Sequence, residues 1–198
     1  MRVGVLVSGS GTNLQALLDA DLAPAQIAVV VSNIPDAPAL GRATRAGVPA
    51  VTVPHKGLAR EAFEDQVLSV LDAHGVELVV LAGFMRVLTP HFVDRFPLRI
   101  VNTHPSLLPA FPGVAAAQQA IDYGAKLTGV SVHFVDAGLD SGPIIAQVCV
   151  PVRPDDDAHA LQARIQREEH TLLPRVVKSL AMGLVSCDGR RVTFSHAE

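Results

Sequence analysis

Two side chains with complementary chemistry stand two residues apart in the stretch Val101-Asn102-Thr103-His104-Pro105. On an extended chain, residues i and i+2 point to the same side, so one crevice could receive both Asn102 and His104. An asparagine amide can donate a hydrogen bond to a developing oxyanion, and a histidine can exchange a proton near neutral pH. The pair is therefore a candidate for acid–base catalysis. The alternative, in which both side chains only cap loop backbone at a strand end, stays open on the pair alone.

Two acidic residues elsewhere in the chain could join this chemistry. Asp140 lies in a glycine-containing turn, 135–143, between two strand-like runs. An aspartate there usually closes the turn, but one that reaches His104 would hold the imidazole's orientation and favour its protonated form. Glu169 stands at the centre of the apolar stripe of a long helical pattern. It is either a solvated edge residue or a group that faces a crevice and binds a cation or an amine.

A glycine loop, Ser8-Gly-Ser-Gly-Thr-Asn13, follows the first apolar run and precedes a helical pattern. Its backbone N–H groups could surround an anion with a helix N-terminus behind them, so phosphate fits. The loop lacks the third glycine of the dinucleotide fingerprint and the Gly-Lys-Ser/Thr ending of the nucleoside-triphosphate loop, so neither of those ligands is favoured. A tight strand-to-helix turn without a ligand is the alternative.

The elements that must position these residues alternate along the chain. Apolar runs span 3–7, 27–31, 48–53, 77–81 and 99–102, and helical patterns span 37–46 and 60–73. This alternation predicts an α/β fold with a doubly wound, mostly parallel, twisted sheet and helices on both faces. Ligands bind such sheets outside the carboxyl ends of the strands, where the strand order reverses. If the first and fourth strands are neighbours, the loops 8–13, 82–86 and 102–113 share one crevice.

The second half of the chain predicts a change in the sheet. Residues 129–135 alternate apolar and polar side chains, which indicates a strand near the sheet edge and favours an antiparallel one. A further strand is predicted at 144–150, and a long helix from about 158 to 180 follows the carboxylates of 155–157. The tail, 184–194, has Asp188-Gly189 between two short runs and reads as a hairpin.

Composition limits the classes of partner. The 198 residues are 49% hydrophobic and 18% charged with a formal net charge of -3, which gives no electrostatic footprint for nucleic acid or an anionic membrane. We expect one domain over 1–198, small-molecule partners and, without a signal peptide or spanning segment, a cytoplasmic location. Cys149 and Cys187 lie far apart and outside any metal-ligand spacing, so we expect reduced thiols and no metal.

In combination, the motifs resemble those of the phosphoribosylglycinamide formyltransferases, the folate-dependent formyltransferase family of purine synthesis. The resemblance covers the chain from Met1 to about Leu180, with each motif in the expected order. The motifs are Ser8-Gly-Ser-Gly-Thr-Asn-Leu-Gln15, Leu81-Ala-Gly-Phe-Met-Arg86, Asn102-Thr-His-Pro-Ser-Leu-Leu-Pro109, Phe111-Pro-Gly113, Gly129-Val-Ser-Val-His-Phe-Val135 and Asp140-Ser-Gly-Pro143. The resemblance implies the Rossmann-like fold of that family, with a nucleotide-phosphate half at about 1–97 and a catalytic and folate half at about 98–180.

The resemblance also assigns roles to single residues. It implies that the catalytic trio is Asn102, His104 and Asp140. The substrate phosphate would be held by Gly11, Thr12 and Asn13, while Glu169 would bind the glycinamide end of the substrate. The folate contacts would be Arg60, Met85, Arg86, Val87 and Leu88.

One stretch departs from the family pattern. Members commonly carry a histidine near position 115, whereas this chain has Val114-Ala115-Ala116-Ala117. An auxiliary role for a side chain on that loop is therefore in doubt. The small residues are similar to those of the methionyl-tRNA formyltransferases, but those enzymes continue into a basic C-terminal barrel, for which this chain has neither the length nor the charge.

The implied activity is transfer of the formyl group of 10-formyltetrahydrofolate, a cosubstrate, to the amine of 5-phosphoribosylglycinamide in de novo purine (IMP) biosynthesis, by a monomer or homodimer. Two alternatives stay open. One is a formyltetrahydrofolate deformylase, a hydrolase with the same trio that normally has a further N-terminal domain, whereas here the first strand begins near residue 3. The other is a non-catalytic folate- or nucleotide-binding protein, which has no need of a histidine between an amide and a carboxylate.

Overall fold

The computed structural model describes residues 1–195. The strands of the main sheet are β1 (Arg2–Val7), β2 (Gln26–Ser32), β3 (Ala50–Thr52), β4 (Leu78–Leu81), β5 (Ile100–His104), β6 (Leu127–Phe134) and β7 (Ile144–Pro151). They form one seven-stranded sheet in the order β3-β2-β1-β4-β5-β6-β7. The chain thus builds outward from β1 to β3, returns to the other side of β1 with β4, and continues to β7.

The first five strands pair in parallel, and β6 pairs antiparallel with both β5 and β7. The predicted doubly wound sheet with one antiparallel strand near its edge is therefore confirmed. Because β1 and β4 are neighbours, the strand order reverses between them. A crevice at that point, outside the carboxyl ends of the strands, is the usual ligand site of such sheets.

The helices are α1 (Thr12–Asp19), α2 (Pro38–Arg45), α3 (Arg60–Ala73), α4 (Pro90–Val93), α5 (Ala116–Tyr123) and α6 (Ala158–Ala181). Helix α4 has no counterpart in the sequence pattern, since four residues are too few for a helical period to show. Its start is fixed from outside: the buried carboxylate of Glu64 accepts hydrogen bonds from the backbone N–H, at 2.8 Å, and the hydroxyl of Thr89.

Both faces of the sheet are covered, because alternate residues of its strands point to opposite sides. Val5 of β1 packs in a cluster with residues of α1, α2, α5 and α6, while its neighbour Leu6 packs with residues of α3 and α4. At Gly4 the approach of α3 is so close that a Cβ would lie 2.7 Å from Cδ2 of Leu71. The continuous apolar runs of the sequence are thus explained by burial on two sides.

Two features complete the described chain. Asp157 caps α6, since its Oδ1 accepts a hydrogen bond from the N–H of Ala160 at 2.7 Å. Strands β8 (Val185–Asp188) and β9 (Arg191–Phe194) form a separate antiparallel hairpin around Asp188-Gly189. Within residues 1–195, no helix combines the length and the apolar character needed to cross a bilayer.

Candidate active site

The loops after β1 and β4 meet at the point where the strand order reverses. The N–H of Ser8 donates to the carbonyl of Gly83 at 3.1 Å, and the N–H of Met85 donates to the hydroxyl of Ser8 at 2.9 Å. That hydroxyl donates in turn to Oδ1 of Asn33, at the end of β2, at 2.6 Å. The hydroxyl of Ser8 therefore joins the glycine loop, the end of β2 and the loop after β4 into one wall of a crevice.

A cluster of ionisable groups lies around Asp140, next to the end of β5. Its Oδ2 lies 3.4 Å from Nδ1 of His104, and its Oδ1 lies 3.7 Å from Nε2 of His133. The Oδ2 atom also accepts a hydrogen bond from the N–H of Gly113 at 2.8 Å. The three side chains are at most 10% exposed. One carboxylate thus faces two buried imidazoles, where water screens their interaction poorly.

The ring of His104 is oriented by the backbone of the loop that follows β5. Its Nε2 lies 2.8 Å from the carbonyl oxygen of Phe111. A carbonyl oxygen only accepts hydrogen bonds, so Nε2 must carry a proton in the neutral ring. The nitrogen that gains or loses a proton is then Nδ1, on the side that faces Asp140. General acid–base catalysis by a histidine requires one such nitrogen that can take up and release a proton.

His133 fixes the amide of Asn102. Its Nδ1 donates to the carbonyl of Phe134 at 2.8 Å, so in the neutral ring Nε2 is an acceptor. Burial lowers the pKa of His133, and the carbonyl of Phe134 and the carboxylate of Asp140 offset part of that effect. The Nδ2 of Asn102 lies 3.2 Å from this acceptor and donates one of its two N–H groups to it. The second N–H of Asn102 is left to serve a group in the crevice.

The loop that holds Asp140 is constrained from several sides. Asp140 has a φ of +50°, a left-handed conformation that is unfavourable for a residue with a Cβ. The next residue, Ser141, donates its hydroxyl to Oδ1 of Asp136 at 2.6 Å. At Gly142 a Cβ would lie 1.8 Å from the carbonyl oxygen of Phe134, so only glycine fits there. The carboxylate of Asp140 is thus aimed at the histidines by a loop with little freedom.

The glycine loop has the shape of an anion site. Gly11 has a φ of +72°, and a Cβ there would lie 2.6 Å from the Cβ of Ala39 in α2, so the backbone passes close to that helix. The N-terminus of α1, from Thr12, follows directly, and the first N–H groups of a helix have no intrahelical partners. Arg42 of α2 donates from Nε to the carbonyl of Ser10 at 2.8 Å. Its guanidinium adds positive charge beside N–H groups that already favour an anion.

Glu169 connects the glycine loop to β5. Its Oε1 accepts from the hydroxyl of Thr103 at 3.2 Å, and its Oε2 lies 3.5 Å from Nδ2 of Asn13. Burial raises the pKa of Glu169, and these two donors and the nearby His104 offset only part of that effect. The Oδ1 atom of Asn13 is also buried, and it accepts no hydrogen bond from any donor within residues 1–195. The carboxyl of Glu169 is therefore buried between the glycine loop and β5 rather than exposed to solvent.

The five residues expected to contact folate lie in two segments, the start of α3 and the loop after β4. Arg60 is exposed at the first position of α3, and Met85 and Val87 are 76% and 49% exposed. The guanidinium of Arg86 lies over the ring of Phe63, 5.2 Å from its centroid. Leu88 is 5% exposed and packs in the core, so a ligand could reach only its backbone.

The departure noted at Ala115 coincides with the start of α5. Ala115 is the residue before that helix and has a φ of +57°.

In the part of the chain that the structure describes, no group of three or more His, Cys, Asp or Glu side chains is arranged to hold a metal ion.

A sequence model of the family described as "Formyl transferase" matches residues 1–177. This match includes every element from β1 through most of α6 and all the residues of the crevice described above. The chain belongs to the formyl transferase family.

Individual members of the formyl transferase family agree with this assignment. The chain is 41% identical over 187 residues to the phosphoribosylglycinamide formyltransferase of Escherichia coli K12, covering 92% of this chain and 88% of that protein. It is 47% identical over 188 residues to the trifunctional purine biosynthetic protein adenosine-3 of Drosophila melanogaster, covering 92% of this chain but only 14% of that protein. It is also similar to the crystal structure of glycinamide ribonucleotide transformylase 1 from Symbiobacterium toebii, with a TM-score of 0.95 and 47% identity over 98% of this chain and 93% of that one.

Three residues of this formyl transferase crevice did not emerge as site candidates from the sequence. They are His133, Arg42 and Gln166, whose Nε2 donates to the hydroxyl of Thr12 at 2.9 Å. For His133 a signal exists, because an antiparallel β6 places it directly opposite Asn102 in β5. Arg42 and Gln166 reach the glycine loop only through the packing of α2 and α6, which no local pattern reveals.

Proposed function

We propose that this chain transfers the formyl group of 10-formyltetrahydrofolate to the amine of 5-phosphoribosylglycinamide, as a cytoplasmic enzyme of de novo purine synthesis. The observation that carries the proposal is the juxtaposition of two sites in one crevice. A proton-transfer cluster of Asn102, His104 and Asp140 lies at one end, and an anion-binding loop at Gly11–Asn13 lies at the other. A phosphorylated amine has the two groups that such a crevice would bind and use.

The nucleotide would bind along the wall between these ends. Its phosphate would lie against the backbone N–H groups of Gly11, Thr12 and Asn13, supported by the charge of Arg42. Glu169 and the free Oδ1 of Asn13 offer acceptors to donor groups further along the substrate, including the amine. Two anchors of this kind hold the amine beside the reacting carbon, and such orientation supplies a large part of the rate of a two-substrate reaction.

The folate would enter from the side of Met85–Leu88 and Arg60. The exposed side chains of Met85 and Val87 provide apolar surface for a flat ring system, and the exposed guanidinium of Arg60 can bind a carboxylate. The Ser8 hydroxyl ties this segment to the glycine loop, so the donor and the acceptor would lie on one rigid wall.

The chemistry follows from the positions of three side chains. The amine nitrogen attacks the formyl carbon, and the free N–H of Asn102 and protonated His104 stabilise the tetrahedral oxyanion. The bond between the formyl carbon and the folate nitrogen then breaks as His104 gives its Nδ1 proton to that nitrogen, and the neutral ring takes up the proton that the amine loses. Asp140 stabilises the charged imidazole during the transfer. The products are the formylated amide and tetrahydrofolate.

The first prediction separates transfer to an amine from transfer to water, since both reactions would use the same trio. Purified protein is expected to consume 10-formyltetrahydrofolate rapidly only in the presence of 5-phosphoribosylglycinamide, and to release little free formate. The measurement follows the folate product and formate with and without the nucleotide. Glycinamide is the matched control, because it has the amine but lacks the ribose and phosphate, and it should be a poor acceptor.

Each alternative has its own signature in this assay. Brisk formate release without the amine would show that the chain is a hydrolase and not a transferase. Ligand binding without any consumption of folate would show that the chain is a non-catalytic binding protein. Equal rates with glycinamide and with the nucleotide would remove the glycine loop from substrate recognition.

A further inference from the structure

The C-terminal hairpin β8–β9 lies beyond residue 177, where the match to the formyl transferase family ends. It is nevertheless packed against the rest of the chain: Val185, Cys187 and Val192 contact the core on the side of α6. At its turn, Arg190 donates from Nη1 to the carbonyl oxygen of Ser141 at 2.8 Å. The hairpin thus reaches the loop that carries Asp140.

The carbonyl of Ser141 lies next to the residue of that loop with the least favourable backbone conformation. The preceding residue, Asp140, has a φ of +50°, a conformation that a residue with a side chain leaves readily unless the surrounding structure holds it. On one side the loop is held by the bond from the Ser141 hydroxyl to Asp136. On the other side the contact is the charge-assisted hydrogen bond from Arg190.

Relaxation of this loop would change the geometry of the proton-transfer cluster. The Oδ2 atom of Asp140 is 3.4 Å from Nδ1 of His104, so a shift of about 1 Å would weaken their interaction. The anion site at Gly11 belongs to different loops and would not move. Loss of the contact is therefore expected to affect turnover more than nucleotide binding.

We propose that Arg190 is a positioning residue for formyl transfer: its guanidinium holds the Asp140–Ser141 backbone so that the carboxylate of Asp140 faces His104. The proposal rests on the proposed function of the crevice. It assigns to the hairpin a part in catalysis, rather than only a part in covering the core.

The second prediction tests this role with three variants. Arg190→Ala should lower kcat about fivefold while the KM for the nucleotide changes less than about twofold, because one hydrogen bond to the catalytic loop is lost. Arg190→Lys should recover most of the turnover, since an ammonium group can also donate to the carbonyl. Arg191→Ala is the matched control, because it removes an exposed arginine from the adjacent position, the first residue of β9, and should leave kcat unchanged.

The outcomes separate the positioning role from a structural one. An unchanged kcat in Arg190→Ala, an equal fall in Arg191→Ala, or a rise in KM alone would overturn the proposal. Thermal unfolding should show the same midpoint for both alanine variants. Rates are measured both as amine formylation and as formate release, because Asp140 serves either reaction. If the wild type releases formate without an amine, the transferase assignment fails, but the fivefold effect of Arg190→Ala on that release still decides the role of Arg190.

Discussion

The two ends of the crevice are built from different parts of the chain. At the catalytic end the groups are side chains in contact with one another: Asn102 is partly buried, and His104, His133 and Asp140 are at most 10% exposed. At the phosphate end, the binding groups are backbone N–H groups arranged by Gly11 and the start of α1. Formyl transfer requires side chains that exchange protons, whereas phosphate binding requires only fixed dipoles and positive charge. The two ends should therefore respond to substitution in different ways.

The two buried carboxyl groups of the crevice show the same contrast. Asp140 is faced by two imidazoles and one peptide N–H. Glu169 is faced chiefly by the neutral donors of Thr103 and Asn13, and its burial raises its pKa. One carboxyl is thus placed to balance a positive charge that forms during turnover. The other, Glu169, has no cationic partner of this kind, so a donor group of the substrate, such as its amine, can bind to it.

The third prediction has the largest expected effect and concerns the catalytic end alone. His104→Ala should lower kcat at least about a hundredfold, because the general acid–base group is lost, while the nucleotide binds with nearly unchanged affinity. Steady-state rates and titration calorimetry with 5-phosphoribosylglycinamide measure the two quantities. His91→Ala is the control, since it removes an exposed histidine that pairs with Asp65 outside the proton-transfer cluster.

Near-normal turnover in His104→Ala would remove His104 from the mechanism. A parallel loss of nucleotide affinity would mean that the two ends of the crevice are not separable, and the contrast between them would fail.

The fourth prediction is the converse, a change at the phosphate end. In Gly11→Ala a Cβ would lie 2.6 Å from the Cβ and 2.9 Å from the Cα of Ala39, at a φ of +72° that disfavours alanine. The start of α1 must shift, so the KM for the nucleotide should rise about tenfold, equivalent to about 1.4 kcal/mol of binding energy. The kcat at saturating nucleotide should fall much less.

Gly9 offers a matched control in the same loop. A Cβ at Gly9 would meet nothing within 4 Å, so Gly9→Ala should raise KM far less than Gly11→Ala. A crystal structure with the nucleotide bound would show the phosphate directly. Equal KM values for the two variants, or a phosphate bound elsewhere in the crevice, would mean that the glycine loop is only a turn.

These contrasts also explain what the sequence could predict. The sheet and its flanking helices follow from short apolar runs that alternate with helical patterns, and the shared direction of Asn102 and His104 follows from their spacing. The hydrogen bond from His104 to Phe111 could not be predicted, because its acceptor is a backbone carbonyl whose position depends on the fold of a loop. Arg42 and Arg190 reach their loops only after α2 and the hairpin have docked. Residues that act through tertiary contacts leave no periodic signal in the chain.

The fifth prediction has the smallest expected effect and concerns Glu169, the carboxyl that lies between the two ends. Burial raises its pKa above the ordinary value of about 4.5, so the folded state holds its proton more tightly than the unfolded chain does. Its stabilising contribution is therefore fully present below pH 4.5 and is lost as the pH rises through the folded value. Glu169→Gln has no proton to lose. Relative to the variant, the wild type should become less stable as the pH rises from 4.5 towards neutrality.

Thermal unfolding of both proteins across that pH range measures this difference, because titrations common to the two proteins cancel. The same substitution should raise the KM for the nucleotide by only a few fold, since a neutral amide still offers one acceptor oxygen in the same place. Glu168→Gln, which removes the same charge from the next position of α6, controls for the change in net charge and should leave KM almost unchanged. A stability difference that is constant with pH would show that Glu169 is not held in a water-poor site. The contrast between the two carboxyl groups of the crevice would then have to be abandoned.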